Sequence, residues 1–225
     1  FDYAFWGHVG HVVRNKSRSV LLSLSRGYLA NPKVSPPARR YAQKLEWSSA
    51  SFAFIADVAM GVMGGELKRK EALTGRFSDV LSWMYLGTAT IRRFEAEGCR
   101  QEDLPLFKWS MENALAKIQL GFDGIFSNFD APVIGWVMKT VGAGWSRLNP
   151  IGIGPSDHDG HLVAAILRKP GEQRDRLCCG LFLSADPEDP VARLENAFLA
   201  CSAADEILQR IRDAVKARTL PKGKP

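Results

Sequence analysis

The sequence has 225 residues, 46% hydrophobic and 24% charged, with 30 Lys and Arg against 24 Asp and Glu and a net charge of +6 at pH 7. This composition indicates a globular protein with a sizeable core, and it excludes a disordered tail, a collagen-like repeat and a small disulfide-stapled scaffold. The positive charge permits contact with an anionic partner but does not by itself indicate one.

Two long helices are predicted at the start of the chain, because apolar residues recur there at steps of three and four. The first covers about residues 5–29. The second begins after Ser35, a capping residue followed by Pro36 and Pro37, and ends at Gly64. The apolar positions are Val9, Val12, Val13, Val20, Leu21 and Leu24 in the first helix, and Tyr41, Leu45, Phe52, Ile55, Ala59 and Val62 in the second.

Two further long helices follow. One covers about residues 67–97 and ends at Gly98, and its stripe places Phe77 and Leu81 toward a core. Asp103 is the predicted cap of the next, at about 104–126. The full stripes are Leu73, Phe77, Val80, Leu81, Met84, Ile91 and Phe94, then Met111, Leu115, Ile118, Phe122 and Ile125. Four long amphipathic helices joined by short turns predict an all-α antiparallel bundle, with its core at about residues 5–126.

The rest of the chain, about residues 127–225, is predicted to form shorter helices and loops. Ser202 and Asp205 make a capping box for the last helix, and the tail from Arg210 to Lys224 is mostly basic. The predicted elements are a short helix at 159–168, a loop at 169–189 with a weak strand candidate at 177–183, a helix from Asp189 to about 201, and a last helix to about 217.

The cysteines indicate a reducing compartment. Cys99, Cys178, Cys179 and Cys201 follow no disulfide framework, and two of them are adjacent, which is a poor geometry for a structural disulfide. An intracellular protein is therefore favoured. No signal peptide is predicted, since no basic start precedes an apolar run and a cleavage site. We expect a cytoplasmic protein, with peripheral attachment to the inner face of the cytoplasmic membrane as the alternative.

The most lipid-like stretch identified is APVIGWVMKTVGAGW, residues 131–145. It contains Lys139 and is shorter than the roughly 20 residues needed to span a bilayer. Two interpretations stay open for it. One is a helix or loop that packs on the core, and the other is an element that lies at a membrane surface.

Several residues are candidates for chemistry. His8 and His11 have the spacing of a metal pair, but no further ligand lies near them in sequence, so packed or solvated histidines are favoured. The segment Asp157-His158-Asp159-Gly160-His161 is more ligand-like. Its two aspartates also suit a turn and a helix cap. Cys178-Cys179 could be a redox pair, but no flanking residue indicates a lowered thiol pKa.

Other common motifs are absent from the sequence. It has no G-x-S-x-G nucleophile elbow, no Walker loop and no G-x-G-x-x-G after a strand. Basic pairs such as Arg39-Arg40 and Arg92-Arg93 are scattered over several helices. They predict a solvated bundle surface, and we predict no nucleic-acid partner. The residues by themselves thus indicate a helical bundle without a complete active site.

Four segments resemble the C-terminal region of the large bacterial acyl-CoA dehydrogenases of fatty-acid β-oxidation. The most specific part is the GG-LKR-E pattern at Gly64–Glu71, followed by RFSDVLSWMYL. The resemblance covers nearly the whole chain and is less specific between Phe129 and Pro155. The four segments are residues 8–27, 39–86, 103–115 and 189–198.

The resemblance implies a flavoenzyme. These dehydrogenases hold FAD between helical and β domains, and the flavin carries the redox chemistry. A glutamate removes the α-proton of an acyl-CoA while the β-hydrogen leaves as hydride to the flavin, and the electrons pass to an electron-transfer flavoprotein. That glutamate lies in a Glu-Gly motif upstream of the region that this chain resembles. Since the chain starts at Phe1 and not at Met, we expect the catalytic FAD-binding domains to precede it.

Two segments imitate the catalytic motif. Tyr85–Ile91 is similar to the Y-E-G-T-x-x-I motif of smaller acyl-CoA dehydrogenases, but Leu86 occupies the position of the base and cannot accept a proton. Glu97-Gly98 supplies the dipeptide at a helix end, where a solvated terminus is favoured. We therefore assign no catalytic, cofactor-binding or metal-binding residue to this chain.

The predicted function is that of a C-terminal helical module of an enzyme that oxidises medium- or long-chain acyl-CoA to trans-2-enoyl-CoA. The module alone is predicted to be inactive. Its role would be packing on the upstream catalytic domains, contact with a second subunit in a homodimer, or contact with an anionic membrane surface. The alternative is a peripheral membrane-docking or protein-interaction module with no catalytic role.

Overall fold

The computed structural model describes residues 2–221 and residue 223, and within these residues it contains helices and no strand. The all-α prediction is thereby confirmed. Lys222 and Lys224 of the predicted basic tail lie outside the described residues. The chain divides into two compact units, Phe1–Gly160 and His161–Pro225.

The first unit is built on four long helices. They are followed by two short helices that a π-helical turn joins into one run. Helix α7 begins at the end of this unit and continues into the next. The bounds are α1 Asp2–Leu24, α2 Pro36–Met63, a 3-10 turn Gly64–Arg69, α3 Glu71–Ala96, a 3-10 turn Gln101–Asp103, α4 Leu104–Ser127, α5 Pro132–Val137, a π turn Met138–Gly142, α6 Ala143–Leu148 and α7 Asp157–Leu167.

Helices α3 and α4 pack along each other, α1 packs on α2, and α2 packs on α3. Gly121 of α4 lies so close to Val80 of α3 that a Cβ atom at this position would overlap the valine side chain. The small residue therefore lets the two helices approach, and both sides of the contact are buried. The largest fully buried side chains are Phe122, Phe129, Met111, Leu115, Ile118, Ile125 and Val80.

The apolar stripe of α3 is buried as predicted at some positions and exposed at others. Val80 and Met84 are buried, whereas Phe77 is only half-buried and packs edge-on against Phe52, with ring centroids 5.8 Å apart. Leu81 is 54% exposed, so its predicted core position is wrong. The reason is the helical period: Leu81 lies one residue, or about 100°, past Val80, which places it outside the face that α4 covers.

None of the six apolar positions identified in α1 is buried, and four of them are exposed. Val13, Val20, Leu21 and Leu24 are exposed, while the buried residues of this helix are Ser19 and Leu22. At the end of α2, Val62 is exposed and Met63 is buried in its place. In each case the apolar pattern correctly predicts a helix, but it does not determine the face that meets a neighbour.

The predicted caps have mixed outcomes. Ser35 and Asp103 precede α2 and α4 but make no side-chain capping hydrogen bond. The backbone N–H of Ser35 instead donates to Oε1 of Glu95, 2.7 Å away. Asp189 does cap its helix, because its Oδ1 accepts from the N–H groups of Val191 and Ala192, each at 3.0 Å.

The second unit holds the rest of α7, α8 Glu172–Cys178 and α9 Pro190–Lys216. Helix α8 lies in the segment predicted as a loop, and the strand candidate at 177–183 is helix end and loop. Helix α9 is continuous, so the predicted break at Ser202 is wrong. The Ser202 hydroxyl donates back to the carbonyl of Phe198, 2.9 Å away, which satisfies it within the helix.

One helical run is long and apolar enough to cross a membrane. It is Pro36–Arg69, which comprises α2 and the 3-10 turn after it, and its mean hydropathy reaches 1.4. The identification of residues 131–145 as the most lipid-like stretch therefore missed a longer one. The core of the first unit also uses this helix, through Trp47, Ile55 and Ala59.

Candidate functional site: an apolar cleft

The histidine pair of α1 is on the surface. His8 and His11 are both exposed, and Nε2 of His11 lies 2.9 Å from the side-chain amide of Asn15. Within residues 2–221 and 223, no group of three or more His, Cys, Asp or Glu side chains is placed to hold a metal ion. The spacing of the pair is thus not accompanied by further ligands in the described part of the chain.

Asp159 of the ligand-like segment takes part in a capping and ion-pair cluster. The Ser156 hydroxyl donates to its Oδ2 at 2.5 Å, and Nζ of Lys108 lies 3.0 Å from its Oδ1. The hydrogen bond from Ser156, followed by that from Lys108, holds the pKa of the buried Asp159 carboxyl below its ordinary value. These contacts fasten the start of α7 to α4. The capping position ahead of the helix, which the sequence suggests for the aspartates, is taken by Ser156, whose hydroxyl accepts from the N–H of Asp159 at 3.2 Å.

The two imitations of the catalytic motif lie apart from any cavity described for the chain. Leu86 and its neighbour Tyr85 are exposed on α3. Glu97 follows the last turn of that helix, and its Oε1 lies 2.8 Å from Nε of Arg93, an i,i+4 ion pair. Cys178 and Cys179 are free thiols at the end of α8.

The first unit contains an apolar cleft of about 610 Å³. Four parts of the chain form its walls: α1, α2, α4 and the run from α5 to α6. Trp47, Ile55 and Phe122 form buried wall, while Val20 and Val141 are exposed at its opening. A cleft of this size lies within the ~300–1,000 Å³ range of small-molecule sites, which are typically apolar with few polar groups.

The polar side chains in the cleft bond to one another. The Gln119 amide donates to the Ser146 hydroxyl at 2.6 Å, and that hydroxyl donates to Oδ1 of Asp123 at 2.7 Å. Oε1 of Gln119 accepts from the backbone N–H of Ile151 at 2.8 Å. This network fixes α6 and the segment after it against α4, and it leaves the polar groups of this wall already engaged.

A second pair of hydrogen bonds joins α6 to α1. The indole N–H of Trp145 donates to the Ser23 hydroxyl at 2.7 Å, and the Asn149 amide donates to the Ser23 carbonyl at 2.8 Å. All three residues line the cleft. The bonds hold the two helices at a fixed distance, so the opening between them is part of the folded structure.

Lys16 is the only charged residue among the described residues that line the cleft. It is exposed, and no hydrogen bond or ion pair engages its ammonium group within the described part of the chain. The site therefore combines apolar walls, a hydrogen-bonded polar network, one buried acceptor without a partner (Oδ1 of Asn149) and one positive charge.

Sequence patterns did not predict the cleft. Its lining comes from segments more than 100 residues apart, such as Ser23 and Trp145, and no local period brings them together. The one available signal was the apolar segment 131–145, which supplies an entire wall through residues such as Val137 and Val141.

Comparison with known proteins gives a family match. The sequence pattern described as "Acyl-CoA dehydrogenase, C-terminal, bacterial type" matches residues 1–225, the whole chain. No solved structure matches the chain.

Proposed function

Because the chain belongs to the family of bacterial-type acyl-CoA dehydrogenase C-terminal domains, we propose that it is the structural helical module of an FAD-dependent enzyme. That enzyme oxidises medium- or long-chain acyl-CoA to trans-2-enoyl-CoA in fatty-acid β-oxidation and passes electrons to an electron-transfer flavoprotein. The module packs on upstream catalytic domains of the same chain or on the second subunit of a homodimer.

The outer face of α1 is the observation that carries this proposal. We define it by Tyr3, Trp6 and Val13, all of which are exposed and do not line the apolar cleft. Trp6 lies three residues after Tyr3 and seven residues before Val13, and these spacings place the three side chains along one side of a helix. The buried residues Ser19 and Leu22 lie on the opposite side, where α1 meets α2.

An apolar stripe of this length is unusual on a surface that faces only water. Trp6 is 67% exposed and Tyr3 is 96% exposed, and contiguous apolar patches on soluble proteins commonly mark an interaction site. Since the family joins this module to catalytic domains, an apolar surface of those domains is the proposed partner of the stripe. Burial of these side chains would then stabilise both parts of the enzyme.

The described lining of the apolar cleft does not fit a flavin dinucleotide. A dinucleotide carries a charged pyrophosphate, which proteins bind with several backbone N–H groups or cations. Among the described residues, the lining of the apolar cleft offers one charged group, Lys16, and its polar residues Gln119 and Ser146 are bonded to each other. We therefore assign FAD and the catalytic glutamate to the upstream domains.

The test compares the 225-residue chain with the full-length dehydrogenase. The chain alone is expected to stay colourless after incubation with FAD and to show no acyl-CoA oxidation with an artificial electron acceptor. In the full-length enzyme, Trp6→Asp with Val13→Asp is expected to separate one cooperative thermal transition into two, because the interface that couples the domains is lost. Calorimetry and the fluorescence of released flavin record the two transitions.

Tyr85→Asp provides the matched control, since Tyr85 is exposed and lies on α3. It is expected to leave a single transition. Stoichiometric flavin on the isolated chain would show that the module belongs to the active site. A single transition in the α1 variant, with separation in the Tyr85 variant, would move the interface to α3.

A second candidate function is docking to an anionic membrane. In the α5–α6 run, Val133 and Trp136 are exposed, and Lys139 and Arg147 are exposed in the same run. Aromatic and aliphatic side chains next to basic residues are typical of an interfacial element. This role would place the enzyme at the inner face of the cytoplasmic membrane.

Co-sedimentation with vesicles tests this function. The chain is expected to bind vesicles that contain anionic lipid, and the binding should fall with added salt because charges are screened over about 10 Å at 0.1 M. Trp136→Ala is expected to weaken binding, and Tyr85→Ala serves as the control on α3. Each basic residue near such a surface contributes about 1 kcal/mol. A chain that stays in the supernatant with anionic vesicles at low salt would eliminate this candidate.

A further inference from the structure

The apolar cleft of the first unit has the properties of a ligand site that the structural role of the module does not require. Its lining includes residues such as Phe54, Phe126 and Met138 from three different parts of the chain. Trp6 and Val13 of the α1 outer face do not line it. The cleft is therefore separable by substitution from the proposed domain interface.

The walls restrict the occupant to an apolar chain. Gln119 bonds to Ser146 and Trp145 bonds to Ser23 inside the cleft. Among the described lining residues, Oδ1 of Asn149 is the one buried side-chain polar atom without a hydrogen-bond partner. A peptide in this position would bring backbone N–H and C=O groups, and most of these would lose their hydrogen bonds to water without a replacement. An alkyl chain carries no such groups, so it is the occupant that these walls favour.

The charge of the cleft restricts the head group. Lys16 on α1 supplies the single charge among the described lining residues, and its ammonium group has no ion-pair partner in the described part of the chain. No carboxylate side chain lines the cleft within the described residues. The site is thus complementary to a molecule with one negative charge at the end of an apolar tail.

The opening allows such a molecule to enter. Val141 is 62% exposed and Leu24 is 65% exposed, and both line the cleft. Deeper in, Trp47 and Ile55 are each 3% exposed. An alkyl chain can therefore pass from an open mouth to a buried wall without unfolding a helix.

We propose that the cleft binds one long-chain fatty acid, with the alkyl chain between α1, α2, α4 and α6 and the carboxylate at Lys16. Burial of each methylene raises the affinity roughly fourfold. Affinity should therefore rise with chain length until the tail fills the cleft.

The test uses the 225-residue chain and titrates it with laurate, myristate and palmitate below their micelle concentrations. Isothermal calorimetry gives the affinity, and the fluorescence of Trp47 and Trp145 reports on occupancy, since both indoles line the cleft. We expect one site per chain and an affinity that increases from laurate to palmitate. Hexadecanol lacks the carboxylate and should bind only a few-fold more weakly than palmitate, because an exposed ion pair contributes little. The affinity for palmitoyl-CoA should not exceed the affinity for palmitate.

Val141→Asp puts a carboxylate at the mouth of the cleft and is expected to lower the affinity for palmitate at least tenfold. Val133→Asp is the matched control, because Val133 is 72% exposed on the same run and does not line the cleft. Lys16→Glu should lower the affinity for palmitate a few-fold and leave the affinity for hexadecanol unchanged. Lys139→Glu is its control. Both valines are exposed, and circular dichroism checks that each variant stays folded.

Equal losses in Val141→Asp and Val133→Asp would overturn the proposal, as would binding that is not saturable or does not depend on chain length. Tight binding of palmitoyl-CoA without binding of palmitate would also overturn it. A dimer of the chain would overturn it as well, if Val141→Asp dissociates that dimer and palmitate does not. The cleft would then be covered by a second copy of the chain. These outcomes leave the α1 outer face untouched, so they are distinct from failure of the proposed function.

Discussion

Replacing Phe107 by Ala is expected to lower the free energy of unfolding by about 3–5 kcal/mol, the cost of removing a large aromatic side chain from a packed core. Phe107 is 4% exposed on α4. Its ring stacks on Phe94 of α3 with centroids 4.3 Å apart, and it meets Tyr41 of α2 edge-on at 5.5 Å. Removal of this ring would therefore leave a cavity where three helices meet.

The packing of Tyr41 against Phe107 also affects the ionisation of the Tyr41 phenol. Desolvation, followed by the nearby carboxylate of Glu112, raises the pKa of the Tyr41 phenol, whose hydroxyl lies 3.3 Å from Oε1 of Glu112. The phenol therefore stays neutral over the ordinary pH range and can act as a hydrogen-bond donor within the cluster.

Urea denaturation measures the effect of Phe107→Ala, and Leu120→Ala is the control on the same helix. Leu120 is 66% exposed, so its truncation should change the free energy of unfolding by no more than about 0.5 kcal/mol. If the midpoints of the two variants were equal, α3 and α4 would not pack as described.

Replacing Gly27 by Ala is expected to lower the free energy of unfolding by about 2–5 kcal/mol. Gly27 follows α1 with a φ of +81°, and a left-handed conformation costs an L-residue about 1–2 kcal/mol. In addition, a Cβ atom at this position would lie 2.8 Å from the carbonyl oxygen of Gln43 and 3.2 Å from its carbonyl carbon. Relief of this overlap would move α1 away from α2, and such overpacking costs about 1–3 kcal/mol.

Gly98 provides the matched control, because its φ is +84° and a Cβ atom at this position would extend into open space, with no neighbouring side chain or helix within 4 Å. Gly98→Ala should show the conformational cost alone, about 1–2 kcal/mol. Thermal and urea denaturation of both variants separate the conformational cost from the cost of the overlap. Equal destabilisation would mean that the backbone of α2 does not lie against Gly27.

The long helices could be predicted from the sequence because their signals are local. Proline at the start of α2, glycine after α3 and the recurrence of apolar residues depend on neighbours within a few positions. The predicted bounds of α4, about 104–126, differ from Leu104–Ser127 by one residue. The same local reasoning failed in the last part of the chain. Ser202 has the residue type of a cap but lies within α9, since a serine can also bond back to the preceding turn.

The buried face of each helix could be predicted only where one stripe is clearly more apolar than the other. Helix α4 has such a stripe, and its predicted residues, Met111 and Ile118 among them, are buried. Helix α1 is apolar on several sides: Val13 and Leu24 belong to its apolar pattern but are exposed, whereas Leu22, outside that pattern, is buried. A period indicates that a helix has an apolar side, but it does not say which surface covers that side.

The sequence by itself determined the all-α class, the four long helices and the family, because helix propensity, terminators and motifs such as Gly64–Glu71 are carried by residues close together in the chain. The tertiary structure alone decided which apolar side chains are covered. It also joined Ser23 to Trp145, 122 positions apart, and so created the cleft. The physical reason is that burial and cavity shape arise from packing between distant segments, and no local pattern specifies how those segments meet.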